Sequence, residues 1–229
     1  MASLANTTLT TTGLSVPPTF PAVAYLNTGA HMSANHVASH ANSHFRGAWN
    51  AISYRYHEAR ECAFQFQNHF STYGDGPPPA ERYEQERMLF DFFSSAVSAL
   101  EAYFFGAFAL ASTSQPADFP LNSPADERKV KPSYVIKLLK THRNGDPLIG
   151  ILDALVSDVR YGELHDARNI LTHRIAPGRQ FFLGGSHPPV VWNLTGNRLT
   201  ADVLVLALAD LEGLLWQALP AAETFALSV

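Results

Sequence analysis

Apolar residues recur every three or four positions along much of this chain, and this spacing predicts amphipathic helices. The longest such pattern runs without a proline from Ser33 to Phe70. Glycines and three consecutive prolines between Tyr73 and Pro79 mark its end. The residues that set the repeat, and that we expect to face a core, are Phe45, Trp49, Ile52, Tyr56, Ala59, Ala63, Phe66 and Phe70.

A second helix is predicted from Ala80 to Ala111, and its later part is apolar on nearly every side. Between Phe92 and Ala111 the only charged side chain is Glu101, and this segment is about long enough to cross a bilayer. Several serines, the central glutamate and the lack of a flanking basic cluster instead favour a buried helix of a soluble bundle. We therefore predict a core helix and no membrane partner.

The second half of the chain predicts shorter elements. Residues 112–132 are rich in proline, serine and aspartate, which is typical of a loop, and Ser133 to His142 predict a short helix. Asp146 stands directly before a proline, which is a favourable helix start. The helix that begins there is predicted to reach Arg174, with a kink or break at Gly162.

The last third of the chain combines a small hairpin with a long helix. Phe181 to Leu183 and Val190 to Trp192 predict two short strands joined by a turn. Thr200 and Asp202 precede a final helix that is apolar over most of its circumference. No internal repeat and no glycine-rich phosphate loop is evident. The predicted fold class is all-α, a helical bundle with a small β-hairpin insertion before the last helix.

Composition indicates a globular protein, because 229 residues with 46% hydrophobic side chains suffice for a core. Residues 1–30 carry clustered threonines and prolines without a sustained period, so we predict a flexible N-terminal arm followed by a single helical domain over residues 31–229. The start of the chain lacks the pattern of a secretion signal, and the single Cys62 fits a reducing compartment. We therefore expect a cytoplasmic location.

The strongest candidate for chemistry is the segment Arg168 to His173. On a helix Asn169 and His173 share a face, and the side chain of Arg168 is long enough to reach it. Arginine offers a planar fork of donors to phosphate oxygens, and histidine exchanges a proton near neutral pH. These residue types therefore suit a phosphodiester. A net charge of -4 excludes a broad cationic surface, so any RNA contact is expected to be local.

Arg168, Asn169 and His173, on a late helix of a small helical bundle, resemble the signature of the HEPN superfamily. The resemblance covers about residues 34–219. It implies a homodimer in which two copies of the motif face one cleft, and many members of the superfamily are metal-independent ribonucleases of toxin–antitoxin, defence or RNA-processing systems. RNA and a second copy of the chain are the implied partners, with an antitoxin or a nucleotidyltransferase as a further candidate.

The resemblance also implies a role for each motif residue. His173 would act as general base on the ribose 2'-hydroxyl or as acid to the leaving oxygen. Arg168 would hold the scissile phosphate, and Asn169 would orient the histidine or the substrate. The reaction would leave a cyclic phosphate and would need no metal or other cofactor. DNA would be spared, because it lacks the attacking hydroxyl.

Two other interpretations stay open, so the sequence alone does not decide that the chain is an enzyme. The same residues could belong to a non-catalytic HEPN-like module that binds a partner protein, a nucleotide or RNA. They could also be polar residues that close the end of a buried helix, where cations are favoured. Arg160 and His165 repeat the spacing without the asparagine, which makes Asn169 the discriminating residue.

Three further side chains are candidate supporting residues. His165 and Asp166 could orient the site from the same helix, although an exposed helix face explains them equally well. Glu101 could pair with Arg168 across the bundle, because a buried carboxylate needs a cationic or hydrogen-bonding partner, or it could point to a loop or to solvent.

A different kind of site is suggested by His36, His40 and His44, which follow one another at four-residue steps after His31. On one helical face such imidazoles could bind zinc, nickel or copper. The outer two would lie about 12 Å apart along a helix, and no carboxylate or cysteine is close in sequence. We therefore interpret these histidines as a solvated or interface face and predict no metal site.

Overall fold

The computed structural model describes residues 5–35, 39–173, 179–181, 190–192 and 199–229, with side chains for 5–35, 39–172 and 199–229. The chain is mostly helical, as the patterns predicted. The described elements are β1 (Thr7–Thr8), β2 (Ser15–Val16), α1 (Ala22–Asn35), α2 (His40–Tyr73), α3 (Pro79–Ser114), α4 (Pro124–Glu127), α5 (Pro132–His142), α6 (Pro147–Ser157), α7 (Val159–His173), β3 (Arg179–Phe181), β4 (Val190–Trp192) and α8 (Val203–Ala226).

The chain divides into two compact units, where the sequence predicted one domain over residues 31–229. The boundaries fall inside α2, α3 and α8, so each of these helices contributes residues to both units. The first unit consists of Met1–Arg55, Ser98–Asp158 and Glu212–Val229, and the second of Tyr56–Val97 and Val159–Leu211.

The predicted flexible arm over residues 1–30 requires correction, because its described part is folded into the first unit. Strands β1 and β2 pair antiparallel, and α1 begins at Ala22. The side chain of Thr19 donates a hydrogen bond to Glu212 of α8 at 2.6 Å. Isolated hydrophobic residues that showed no period in the sequence are buried here, namely Leu9, Val16, Phe20 and Tyr25.

The core of the first unit is built around Trp49 of α2. Its indole stacks on Tyr25 at 5.5 Å and on Phe45 at 5.1 Å between ring centroids, and its Nε1 donates to the backbone oxygen of Tyr25 at 2.9 Å. A Cβ at Gly106 of α3 would lie 3.4 Å from this indole, so a glycine there lets the two helices pack closely. Trp49 therefore joins α1, α2 and α3.

Helix α2 confirms the predicted repeat, although it begins at His40 rather than Ser33. Of the eight residues that set the repeat, seven are buried and Phe70 is half-buried. The helix ends at Tyr73, and Gly74 follows with a φ of +70°, a conformation that glycine adopts without strain. The side-chain amide of Gln85 then donates to the backbone oxygen of Gly74 at 3.1 Å, which ties the turn to α3.

Helix α3 covers the predicted second helix and buries several large aromatic side chains, among them Phe92, Tyr103, Phe104 and Phe108. Among the described residues, α3 and α8 are long and apolar enough to cross a membrane by length and composition alone. The most apolar window of α3 is 72% buried inside the protein, against 39% for α8. A buried core helix meets the same criterion, so this is weak evidence for a membrane.

The shorter elements follow the predicted order with two differences. The predicted loop over residues 112–132 contains the short helix α4, which Ser123 caps by accepting from the backbone of Asp126. Asp146 caps α6 as predicted, since its carboxylate accepts from the backbone of Leu148. The break after α6 lies at Asp158, whose backbone is extended, rather than at Gly162. The hairpin is confirmed, with β3 starting two residues before the predicted strand.

Candidate functional site

Helix α7 carries the predicted site and has two distinct faces. Leu164 and Ala167 are buried apolar residues of this helix. His165, Arg168 and Asn169 are half-buried. The buried residues named here are thus apolar, and Arg168 and Asn169 lie at the edge of the buried surface.

The side chains of Asn169 and His165 are hydrogen-bonded across one helical turn, with 2.9 Å between Nδ2 of the amide and Nδ1 of the imidazole. An amide nitrogen can only donate, so Nδ1 accepts and the neutral imidazole carries its proton on Nε2. The ring of Tyr161 lies roughly parallel to that of His165, at 6.1 Å between centroids. His165 is therefore held from both sides along the helix.

Arg168 is half-buried, with its Nε shielded from solvent. Its backbone oxygen accepts a hydrogen bond from the hydroxyl of Thr172 at 2.8 Å, so these two residues are also linked along the end of α7. A guanidinium in this position can donate to an anion while its stem stays packed.

His173 is the last residue of α7, and its side chain lies outside the described residues. The sequence grouped Asn169 with His173, whereas the structure joins Asn169 to His165. The histidine that sequence spacing treated as a look-alike or supporting residue is thus in contact with the discriminating asparagine.

The other supporting candidates lie on exposed surface. Asp166 is exposed on α7, which agrees with an ordinary solvated helix face. Glu101 is exposed on α3, so its carboxylate is not buried, and its pairing with Arg168 stays a prediction. The candidate site on α7 therefore consists of the half-buried residues His165, Arg168 and Asn169. His173 belongs to it through its place at the end of the same helix.

Cys62 offers no nucleophile. The thiol is buried on α2, and burial, with Glu58 and Asp91 nearby, raises its pKa to about 12. Only the thiolate is an effective nucleophile, so this side chain stays protonated and unreactive at neutral pH.

A second polar cluster brings together His40 and His44 at the start of α2 and Glu127 at the end of α4. The Nε2 atoms of the two imidazoles are 2.9 Å apart, and Nε2 of His44 is 3.6 Å from Oε1 of Glu127. The sequence places His40 and His44 one helical turn apart, but it shows no carboxylate close to them along the chain. Glu127 lies far along the chain, and no local pattern connects it to α2. His36, the first of the predicted histidine row, lies outside the described residues.

No protein-family model, no curated protein and no solved structure matches this chain. The interpretation of both clusters consequently rests on their own chemistry and geometry.

Proposed function

We propose that this chain is a HEPN-like, metal-independent endoribonuclease whose catalytic residues are Arg168, Asn169 and His173. The observation that carries the proposal is the half-buried pair Arg168 and Asn169, placed one turn before His173 at the end of a helix that is anchored by apolar residues. A cation, an amide and an imidazole on one short segment are the groups that phosphodiester cleavage needs without a metal.

The chemistry follows from these groups. His173 takes the proton from the ribose 2'-hydroxyl, and the resulting oxygen attacks the adjacent phosphorus. Arg168 donates to the phosphate oxygens, where negative charge accumulates in the transition state. The bond to the 5'-oxygen breaks, and this oxygen takes up a proton from an acid. The products carry a 2',3'-cyclic phosphate and a 5'-hydroxyl.

A second copy of the chain would supply that acid, because one histidine cannot be protonated and deprotonated at the same moment. The surface of α8 supports association. Leu206 is 60% exposed and Trp216 is 52% exposed on this helix. Contiguous apolar surface is typical of contacts between subunits, and these two side chains would contribute to such a surface. We therefore propose a cytoplasmic homodimer with a composite site, with an antitoxin or a nucleotidyltransferase as a candidate regulator.

His165 is proposed as a positioning residue rather than a catalytic one. Its hydrogen bond to the side-chain nitrogen of Asn169 holds the amide group in place. Through this arrangement Asn169 can orient His173 or a substrate hydroxyl.

One observation favours a second candidate, a module that binds RNA or a partner protein without cleaving it. One of the two N–H groups of the Asn169 amide is engaged by His165, so this nitrogen keeps a single donor for a substrate. Arg168 would then act as an anion-binding residue alone.

The test is incubation of the purified chain with total RNA in the presence of a chelator. We expect wild type to cleave, and His173→Ala and Arg168→Ala to lose about 100-fold or more in rate. Arg160→Ala is the matched control, since it removes one positive charge from the same helix outside the motif, and it should cleave as wild type does. Cleavage that survives in His173→Ala but is lost in Arg160→Ala would move the site to Arg160 and His165. Binding without cleavage would support the second candidate.

A further inference from the structure

We propose that His40, His44 and Glu127 form a binding site for a divalent transition-metal ion, with Zn²⁺ as the best-matched occupant. His40 and His44 lie one turn apart at the start of α2, and Glu127 is the last residue of α4. All three belong to the first unit. Their ligand atoms lie within 4.8 Å of one another, the only such group of three or more metal-binding side chains in the described part of the chain.

The separations suit a small cation. Zinc binds imidazole nitrogen and carboxylate oxygen at about 2.0–2.2 Å, so the ligand atoms of a tetrahedral site lie about 3.4 Å apart. In the structure, Nε2 of His40 and Nε2 of His44 are 2.9 Å apart, and Nε2 of His44 is 3.6 Å from Oε1 of Glu127. These two distances lie on either side of the tetrahedral value. Small rotations of the side chains bring all three ligands to one ion.

The chemistry of the set points to zinc, copper or nickel rather than magnesium or calcium. Two imidazoles are intermediate ligands that suit the later transition metals, whereas the alkaline-earth ions prefer oxygen atoms alone. Glu127 brings the negative charge that partly offsets a divalent ion. Two neutral imidazoles and one carboxylate make a three-ligand set that leaves a fourth position for water.

Packing places the His44 ring, and a backbone hydrogen bond places the residue Glu127, before an ion arrives. The ring of His44 packs edge-on against Phe105 of α3 at 5.8 Å between centroids. The backbone nitrogen of Glu127 donates to the backbone oxygen of Ser123 at 3.1 Å, within the capped turn of α4. The side chains of His44 and Glu127 are 20% and 37% exposed, so an ion can enter from solvent. Pre-positioned ligands lower the ordering cost of binding.

This site differs from the other histidine contacts of the described chain. His69 with Glu81 and His142 with Asp118 are each a single imidazole beside a single carboxylate. One imidazole and one carboxylate make a hydrogen-bonded pair, but they offer too few ligands to hold an ion tightly. The third ligand is what distinguishes the site at His40. A metal ion bound by His40, His44 and Glu127 would join α2 to α4, and this role does not depend on any RNA cleavage at α7.

The test is titration of the metal-free full-length chain with Zn²⁺, followed by calorimetry and by thermal unfolding. We expect one tight ion per chain, and a melting temperature that rises by roughly 5–10 °C at a free zinc concentration about 100 times Kd. His40→Ala and Glu127→Gln should each weaken binding at least 10-fold. His142→Ala is the matched control, because it removes a histidine that contacts a carboxylate elsewhere, and it should bind zinc as wild type does.

Two results would overturn the proposal. One is the absence of stoichiometric binding by wild type. The other is equal affinity in wild type, His40→Ala and Glu127→Gln, which would mean that zinc binds other histidines. The RNA cleavage assay contains a chelator and tests residues of α7, whereas the metal site lies on α2 and α4. Either proposal can therefore fail without the other.

Discussion

The hydrogen bond between His165 and Asn169 can be tested by a double-mutant cycle on unfolding. The bond is 2.9 Å long and half-buried, and a net contribution of about 1 kcal/mol is typical of such a bond. We expect His165→Ala and Asn169→Ala to show a coupling of about 1 kcal/mol, because each substitution removes the same interaction. The free energy of unfolding is measured by denaturant titration with circular dichroism.

The chain contains a matched control for this cycle. His31 and Asn35 on α1 are the same residue types at the same spacing, but their contact is exposed and their ring-to-amide distance is 3.2 Å. Exposed pairs of this kind contribute about 0.2–0.5 kcal/mol, so the control cycle should show a smaller coupling. Equal couplings in the two cycles, or none at α7, would refute the view that Asn169 is held by His165. In the cleavage assay, Asn169→Ala should then lower the rate roughly tenfold, the equivalent of one orienting bond.

The remaining predictions concern the core. Phe20→Ala should lower the free energy of unfolding by about 3–5 kcal/mol in a denaturant titration, because Phe20 is 2% exposed. A change below about 0.5 kcal/mol would instead support a flexible N-terminal arm. Tyr103→Phe should cost about 1–2 kcal/mol in the same titration, since its buried hydroxyl donates to the backbone oxygen of Ala218 at 2.8 Å; an unchanged midpoint would contradict this. Cys62, with a pKa of about 12 against an ordinary 9.0, should be alkylated at pH 8 roughly 1000-fold more slowly in the native chain than in denaturant. Folding favours the protonated thiol, so the stability from this group is present below about pH 9 and is lost as the pH rises toward 12. Equal alkylation rates would contradict the raised pKa.

The long helices could be predicted because their apolar repeat is strong. The predicted helix from Ala80 to Ala111 lies within α3, and α5 begins one residue before its prediction. Local chemistry was equally informative at Asp146, where a capping carboxylate precedes a proline. In each case the signal lies within a few residues of the element that it specifies.

The N-terminal region could not be predicted in this way. Its strands are two residues long, which is too short for an alternating pattern. Helix α1 buries several small residues, which weakens the contrast between apolar and polar positions. The buried residues of this helix are Ala22, Ala24, Tyr25, Thr28, Gly29 and Met32.

The candidate sites show the same limit. Asn169 was identified from its place in a short motif, but its contact with His165 depends on side-chain rotamers that the motif does not specify. Glu127 was missed as a neighbour of His44 because the two come together only through the packing of α4 beside α2. The exposure of Glu101 was one of the alternatives that the sequence left open, since an apolar helix can still turn one position to solvent.

The most direct test of the proposed function is cleavage of a DNA oligonucleotide that contains a single ribonucleotide, in the presence of a chelator. The wild-type chain is expected to cut only at the bond that follows the ribonucleotide and to leave a 2',3'-cyclic phosphate, identified by mass spectrometry. His173→Ala should leave the oligonucleotide intact, as should wild type with the all-deoxy sequence. Cutting of the all-deoxy strand, a 3'-hydroxyl product, or equal cutting by His173→Ala would contradict a reaction through the 2'-hydroxyl at this helix.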